Sequence, residues 1–404
     1  MNPYGTRRNY GISVNLIIGL ILLLALLIGI NIYAVRNLEI GASFYSYWLS
    51  SRILFAQGGN PYAPELFDQV LNTYPNDPTV SGFTLPLFSV IPVVLFSFIN
   101  RFEIAMVLWM IVLEAALIFA GIKALSAFRI NKTTISPPFF YGLLLLSYPA
   151  VRAVMDGDMG ILSLMFLFVA LDAMRMGEDE FAGIMLAFAT MKFSLTTLPI
   201  LWILLWSLFN YRRTVIAWFG MVLVLLILIA TLFMTNWIIE FVRAVIYYYK
   251  YLNPIYFSVL IENWQPELGG RIGWAISGIL TLIMFIEWFI NRRGSIIAFE
   301  WVTALTLTLL FLIGVPALGK NLYLLWFPLI FMLDKINLRW ISFGKWFNLV
   351  VLLLFFVLPW IIHLPIQTNF SYPIDVTNII FPSIGVLLLY WNRWWTIRSV
   401  VQPY

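Results

Sequence analysis

Cysteine is absent from the 404 residues. That excludes disulfides, thiolate metal centres and a cysteine nucleophile. Histidine is nearly absent as well. The single His363 leaves no basis for a His-built zinc site or an imidazole relay. Charge is also scarce: 11% of residues are Asp, Glu, Lys or Arg, against about 25% in a soluble domain. With 62% hydrophobic residues, no soluble fold could cover the apolar surface, so lipid must. No repeat and no low-complexity linker interrupts the chain, which reads as one membrane domain, 1–404.

The net charge of +5 does not point to nucleic acid. The basic residues are scattered at the ends of apolar runs, where they orient a membrane protein. The 17 Trp and 19 Tyr suit interfacial belts. After Arg7-Arg8, the run from Ile12 to Tyr33 is longer than the core of a secretory signal and reads as a retained first helix.

Apolar runs long enough to span predict helices near 102–127, 137–151, 160–176, 181–191, 194–209, 214–235, 271–291, 296–314, 320–333, 345–363 and 376–392. With the first helix that makes about twelve, an all-α polytopic bundle with both termini cytoplasmic. Arg212-Arg213, Arg292-Arg293, Lys335 and Arg339 then fall on the cytoplasmic side, while most acids fall outside. This is the bias of the positive-inside rule, and the acid-rich outer face is where metal or general-base chemistry would have to sit. Two long polar-aromatic segments, 36–101 and 236–270, then also lie outside. Phe83–Ile99 is long enough to span, but Pro86 and Pro92 favour a helix lying in or dipping into the interface.

The first loop carries the residues of chemical interest. Aromatics at 44, 45, 47 and 48 predict an amphipathic helix on the membrane surface. Gly58-Gly59-Asn60-Pro61-Tyr62 predicts a turn, followed by Glu65 and Asp68. Further on, Asp156-Gly157-Asp158 predicts a polar tip between two short spans, with Arg152 one turn earlier. Two acids in a Gly-containing turn can ligate a divalent cation, and Arg152 could clamp a phosphate. The plain alternative is a solvated hairpin tip.

Lys192 stands in an apolar stretch, where a charge is costly and therefore a functional candidate. Its plain alternative is snorkelling to the interface. Glu114, inside the second span, reads as structural, either protonated or paired with a polar neighbour such as Lys192. Lys320-Asn321-Leu322-Tyr323 opens a late span and offers a second phosphate contact, or simply a helix start.

The order of these pieces resembles a family. An aromatic helix is followed by Gly59-Asn60-Pro61-Tyr62, Leu85-Pro86-Leu87-Phe88, Gly157-Asp158-Met159-Gly160, the Gly183 to Lys192 hairpin and Asn321-Leu322-Tyr323. The series is similar to glycosyltransferase family 87, alpha-mannosyltransferase-like membrane enzymes of the GT-C superfamily. The resemblance covers nearly the whole chain. It implies a GT-C fold and transfer of a hexose such as mannose from a polyprenyl-phosphate donor to a lipid or glycan acceptor.

In that family the catalytic acid opens the aromatic helix, in an Asp-Phe-x-x-Tyr pattern. Here the position reads Ser43, which cannot act as a carboxylate base. The family's Gly-Gln-x-Asn is Gly157-Asp158-Met159-Gly160 here. One reading is that another acid has taken over, among Glu39, Glu65, Asp68, Asp156 and Asp158. A second is that positioning and phosphate stabilisation suffice. The third is a chain without catalysis that binds glycolipid or serves as a subunit.

The enzyme reading makes Asp156 or Asp158 base or metal ligand, with Arg152, Lys192 and Lys320 as phosphate contacts. Ser43, Asn60 and Tyr62 shape the sugar site, and Trp48 and Trp264 are stacking surfaces. A transporter is disfavoured by the lack of an inverted repeat.

Overall fold

The computed structural model describes residues 14–75, 82–127, 137–249, 261–262, 265–314, 319–340, 343–366 and 377–397. Regular structure among them is entirely helical. The helices are α1 (Val14–Asn37), α2 (Ala42–Gln57), α3 (Pro64–Thr73), α4 (Val94–Ser97), α5 (Phe102–Ala127), α6 (Pro137–Leu146) and α7 (Tyr148–Asp156). There follow α8 (Gly160–Met176), α9 (Asp179–Ala189), α10 (Phe193–Phe209), α11 (Arg213–Phe233), α12 (Trp237–Tyr249) and α13 (Gly269–Asn291). The last are α14 (Ile296–Leu309), α15 (Trp326–Arg339), α16 (Phe343–Ile366) and α17 (Thr377–Thr396). Three 3₁₀ turns, Leu87–Val90, Thr190–Lys192 and Gly319–Leu325, complete them.

Four helical stretches are long and apolar enough to cross a membrane: Phe102–Ser126, Asp179–Phe209, Arg213–Phe233 and Gly269–Asn291. Length and composition support membrane association; they do not establish twelve spans. At 1.5 Å per residue, the 17 residues of α8 and the 14 of α14 are shorter than a ~30 Å hydrocarbon core.

The stretch Asp179–Phe209 is not one straight rod. Arg212 pairs with Asp179, whereas 31 residues of straight helix would set the ends about 46 Å apart. The chain therefore reverses at Lys192, as the sequence suggests.

Ion pairs and hydrogen bonds fix how the helices run. Near its start α5 meets the α7–α8 junction, where Trp109 Nε1 donates to the Gly157 carbonyl at 3.1 Å. Near its end Lys123 pairs with Asp172 of α8 at 2.8 Å. Thus α5 and α8 run side by side from a site end to a basic end. α9 climbs back, α10 descends, and Asn210 Nδ2 then bonds the Arg292 carbonyl beyond α13 at 2.9 Å. At the same basic end Arg393 of α17 bonds Glu287 of α13 at 2.9 Å.

Helix α14 lies in the middle, with every residue from Ala298 to Leu309 buried. Its threonine hydroxyls bond carbonyls one turn back (Thr303, Thr306 and Thr308, each 2.8 Å). Such back-bonding satisfies polar groups that the apolar surroundings cannot. Indoles complete the pattern: Trp288 Nε1 donates to Thr306 at 2.9 Å, and Trp301 Nε1 to the Leu389 carbonyl at 2.9 Å.

Several sequence expectations change. The segment 137–151 is two helices, broken at Ser147, whose extended backbone precedes Tyr148-Pro149. Pro149, in the first turn of α7, withholds the amide donor that a helix continuous with α6 would need. Phe83–Ile99 is not one interfacial helix but a 3₁₀ turn and the four-residue α4, since Pro86 and Pro92 withhold donors six residues apart. Helix α2 forms where expected and turns 87° from α1. Its aromatic side chains are packed within the protein: Phe44, Ser46, Tyr47, Trp48, Ser50, Ser51 and Leu54 are all buried. Its packing explains this, with Phe44 stacked on Trp109 and Trp48 edge-on to Phe102.

Candidate functional site

The site grows from the end of α7. Gly157 adopts φ +72°, and the ending is a Schellman motif. The Asp158 amide donates to the Ala153 carbonyl at 2.9 Å, and the Gly157 amide to Val154 at 3.0 Å. Glycine is required twice over, for the left-handed backbone and because a Cβ would overlap Phe44 of α2. This reversal holds Asp156 on one side of the turn and Asp158 on the other.

Asp158 caps α8, its Oδ1 accepting the Gly160 amide at 2.7 Å. The same carboxylate pairs with Lys192, and its Oδ2 accepts Asn321 Nδ2 at 2.8 Å. Burial pushes its pKa up, but Lys192, Lys320 and the Gly160 amide more than reverse that and hold it at about 2. Lys192 is itself pinned through its backbone amide, which donates to Ser163 Oγ at 2.9 Å, while Ser89 Oγ holds the Met191 carbonyl at 2.8 Å.

Asp156 is the counterpart at the start of α2. That helix has no side-chain cap of its own, and Asp156 supplies one, Oδ1 accepting the Ser43 amide at 3.1 Å. Oδ2 accepts the Ser43 hydroxyl at 2.6 Å. Lys320 pairs with Asp156 and also reaches Ser43 Oγ at 3.2 Å. The 3₁₀ turn that carries Lys320 also delivers Asn321, whose Nδ2 lies 3.2 Å from Tyr323 OH. Tyr323 is buried against Gly160, where a Cβ would overlap its hydroxyl.

Three chain segments distant in sequence thus bring two acids and two lysines into one nearly dry cluster. The carboxylate of Asp158 is fully enclosed; the other three side chains are 9–13% exposed. The four charges sum to zero.

Of the expected site residues, Ser43, Asp156, Asp158, Lys192 and Lys320 converge. Arg152 is half-buried on α7 and forms neither a hydrogen bond nor an ion pair with the described residues. Glu65 and Asp68 are exposed on the outer face of α3, because Phe67 and Val70 occupy its inner face. Glu39 is likewise exposed.

Asn60 and Tyr62 build the loop itself. Asn60 Oδ1 accepts the Tyr62 amide at 2.9 Å, and Tyr62 OH bonds the Leu85 carbonyl at 2.9 Å. Burial pushes the Tyr62 hydroxyl far above its usual range. Trp48 is enclosed, with Nε1 on the Phe96 carbonyl at 3.1 Å and Arg52 over its ring at 4.6 Å, so its ring offers no open face to a sugar. Trp264 lies outside the described residues.

A divalent cation fits poorly. Lysine ammonium groups already neutralise both carboxylates where a metal would sit. Among the described residues no group of three His, Cys, Asp or Glu side chains could hold one. Glu114 does not pair with Lys192, which Asp158 takes. Trp109, Ser163 and Ser89 support the site without standing out in the sequence, since their roles come from tertiary contacts to Gly157, Lys192 and Met191.

No family model matches the chain, and neither a curated protein nor a solved structure matches it.

Proposed function

We propose that the chain is a membrane glycosyltransferase of GT-C type, moving a hexose from a polyprenyl-phosphate donor to a lipid or glycan acceptor at the site end. One observation carries this reading: Asp156 presents its carboxylate to Ser43, 2.6 Å from the hydroxyl. Position 43 is where the family resemblance expects an acid, so a carboxylate occupies the expected place although it comes from another segment. Asp156 is then the base that takes the acceptor hydroxyl's proton. Asp158 is held too acidic for that task, with Lys192, Gly160 and Asn321 as its partners; it positions Lys192.

Lys192 and Lys320 supply the positive charge for the departing lipid phosphate. Because the cluster is nearly dry, those charges act at greater strength than in water. The about twelve spans, the cytoplasmic termini, the outer location of the site and the inner membrane belong to the same proposal.

A second reading has its own support. Both carboxylates are already satisfied within the protein. That suits a glycolipid-binding or structural subunit in which Asp156 and Asp158 serve as helix caps.

A swap separates the two readings. The full chain in vesicles is given a labelled polyprenyl-phosphate hexose and a mixed lipid acceptor. The enzyme reading expects transfer by the native chain, loss in Asp156→Ser, and partial return in the double variant Ser43→Asp/Asp156→Ser. No transfer by the native chain, or transfer undiminished in Asp156→Ser, favours the subunit.

A further inference from the structure

Three of the stretches long and apolar enough to cross a membrane meet at one place on the basic end. Asp179–Phe209 and Gly269–Asn291 stop there, and Arg213–Phe233 starts there. The turns between them are tied together. Asn210 Nδ2 donates to the Arg292 carbonyl at 2.9 Å, and Trp206 Nε1 donates to the Gly294 carbonyl at 3.1 Å. Where apolar stretches of this kind stop, the hydrocarbon of a bilayer gives way to its phosphates, so the joined turns stand at headgroup depth.

The turns carry four arginines, which are not equivalent. Arg212 pairs with Asp179. Arg213 adjoins Thr214, which shares a shallow cleft with Glu178 and Glu180. Arg292 and Arg293 form no ion pair with the described residues. Both guanidinium groups lie over the Phe209 ring, 5.4 and 5.9 Å from its centre, and Arg292 also lies 3.7 Å over Phe289. Arg292 gives one donor to the Phe289 carbonyl. An aromatic face orients a guanidinium and leaves its edge donors for a phosphate.

Tyr211 marks the same place. It is the one non-glycine residue with positive φ (60°) among the described residues. It ends α10 where glycine is usual, with the Arg212 amide donating to the Ser207 carbonyl at 2.9 Å. Its ring is 86% exposed, so packing does not account for a tyrosine there. An apolar ring with a hydroxyl tip suits the headgroup layer.

We propose that Arg292 and Arg293, with Phe209 and Tyr211, form a binding site for an anionic phospholipid. The phosphodiester meets the two guanidinium groups. The acyl chains follow Phe289, Phe285 and Leu282, which are exposed and share one face of α13. That apolar track selects a lipid over a soluble phosphate, and the unpaired charges select an anionic lipid over a zwitterionic one that brings its own cation. The site lies at the opposite end of the bundle from Asp156 and stands independently of sugar transfer.

The test is a competition. The full chain in detergent micelles receives equal amounts of dioleoyl phosphatidylglycerol and dioleoyl phosphatidylcholine, and native mass spectrometry counts the retained lipid. The native chain is expected to prefer the anionic lipid by at least about tenfold, and Arg292→Gln/Arg293→Gln to lose that preference. Arg293→Gln alone, at an exposed position, is expected to lose about threefold and carries the test if the double variant unfolds. Arg213→Gln/Arg339→Gln removes the same charge elsewhere and should keep the preference within about twofold.

No preference in the native chain, or a preference undiminished in both Arg293 variants, would overturn the proposal. So would an equal loss in Arg213→Gln/Arg339→Gln, which would reduce the effect to general attraction by a basic surface. Displacement of the lipid by equimolar glycerophosphoglycerol, the same headgroup without acyl chains, would overturn it in favour of a soluble phosphodiester.

Discussion

The two ends of the bundle hold buried acids in different ways. At the basic end three pairs that join different helices have enclosed acids, Asp172, Glu300 and Glu287, while their cations Lys123, Arg175 and Arg393 remain 26–35% exposed; the neighbouring-residue pair Asp334–Lys335 there is drier, at 8% and 15%. These cations reach outward along their apolar stems and stay partly hydrated. At the site end the lysines are only 9–13% exposed and both acids are nearly or fully enclosed. Residue types are alike; solvent is not. A hydrated pair contributes little and is screened. A dry pair costs much to desolvate, contributes little net stability, and makes each new charge strongly felt. The basic end therefore reads as staples between passing helices, and the site end as a place prepared for a charged ligand.

The largest effect that sharpens this contrast is at Asp158. Asp158→Leu strands the Lys192 ammonium in the interior and should cost about 3–5 kcal/mol. Asp158→Leu/Lys192→Met should regain most of it, because an apolar pair of similar volume is tolerated there. Thermal unfolding in detergent measures both, and an equal loss in single and double variants would contradict the dry-pair description.

Next comes Gly157→Ala, which forces a left-handed backbone on a side chain that also meets Phe44. A loss of about 1–3 kcal/mol is expected, with Asp156 displaced from Ser43. A fully stable variant would mean that the turn relaxes freely. At the basic end, the double variant Lys123→Met/Asp172→Asn, which strands no buried carboxylate, should change stability by no more than about 1 kcal/mol and leave ligand binding as it was. A larger loss would erase the difference between the ends.

The smallest effect is on pH dependence. The folded pKa of Asp158, about 2, lies below the ordinary Asp value of about 3.9. A depressed carboxylate contributes its stabilisation fully above the unfolded value, and loses it as pH falls through the folded one. Native stability should therefore show no contribution from Asp158 titration between pH 5 and 8 and fall below about pH 4. In Asp158→Asn that acid limb should be shallower. An identical limb in both proteins would place the acid sensitivity elsewhere.

Much of this was legible in the sequence. Apolar runs and polar breaks are local, so α5, α8, α11, α13 and α17 fall close to their expected bounds. Lys192, Asp156, Asp158 and Lys320 stood out because charge is rare in so apolar a chain. The Pro149 break was available in the residues and was outweighed by the apolar run around it. So was the outward aim of Glu65 and Asp68, since Phe67 and Val70 lie three apart on one helix face.

Partnerships across the chain were not legible. Ser43 meets Asp156 across 113 positions, and Lys320 joins them across 277 and 164. Nor could Trp48 be known as enclosed, because Phe96 and Phe102, which cover it, reach it only through tertiary packing. The count of spans stayed open for a physical reason. Helices as short as α8 and α14 are buried by neighbouring helices, so their apolar character does not require lipid.

The most direct measurement compares one acid from each end. Asp156→Asn and Asp172→Asn, both confirmed as folded in vesicles, are assayed side by side for hexose transfer from a polyprenyl-phosphate donor. Loss of at least about a hundredfold in Asp156→Asn, with Asp172→Asn within about twofold of native, is the expected result. Equal rates in the two variants would contradict the assignment of the chemistry to the Asp156 end.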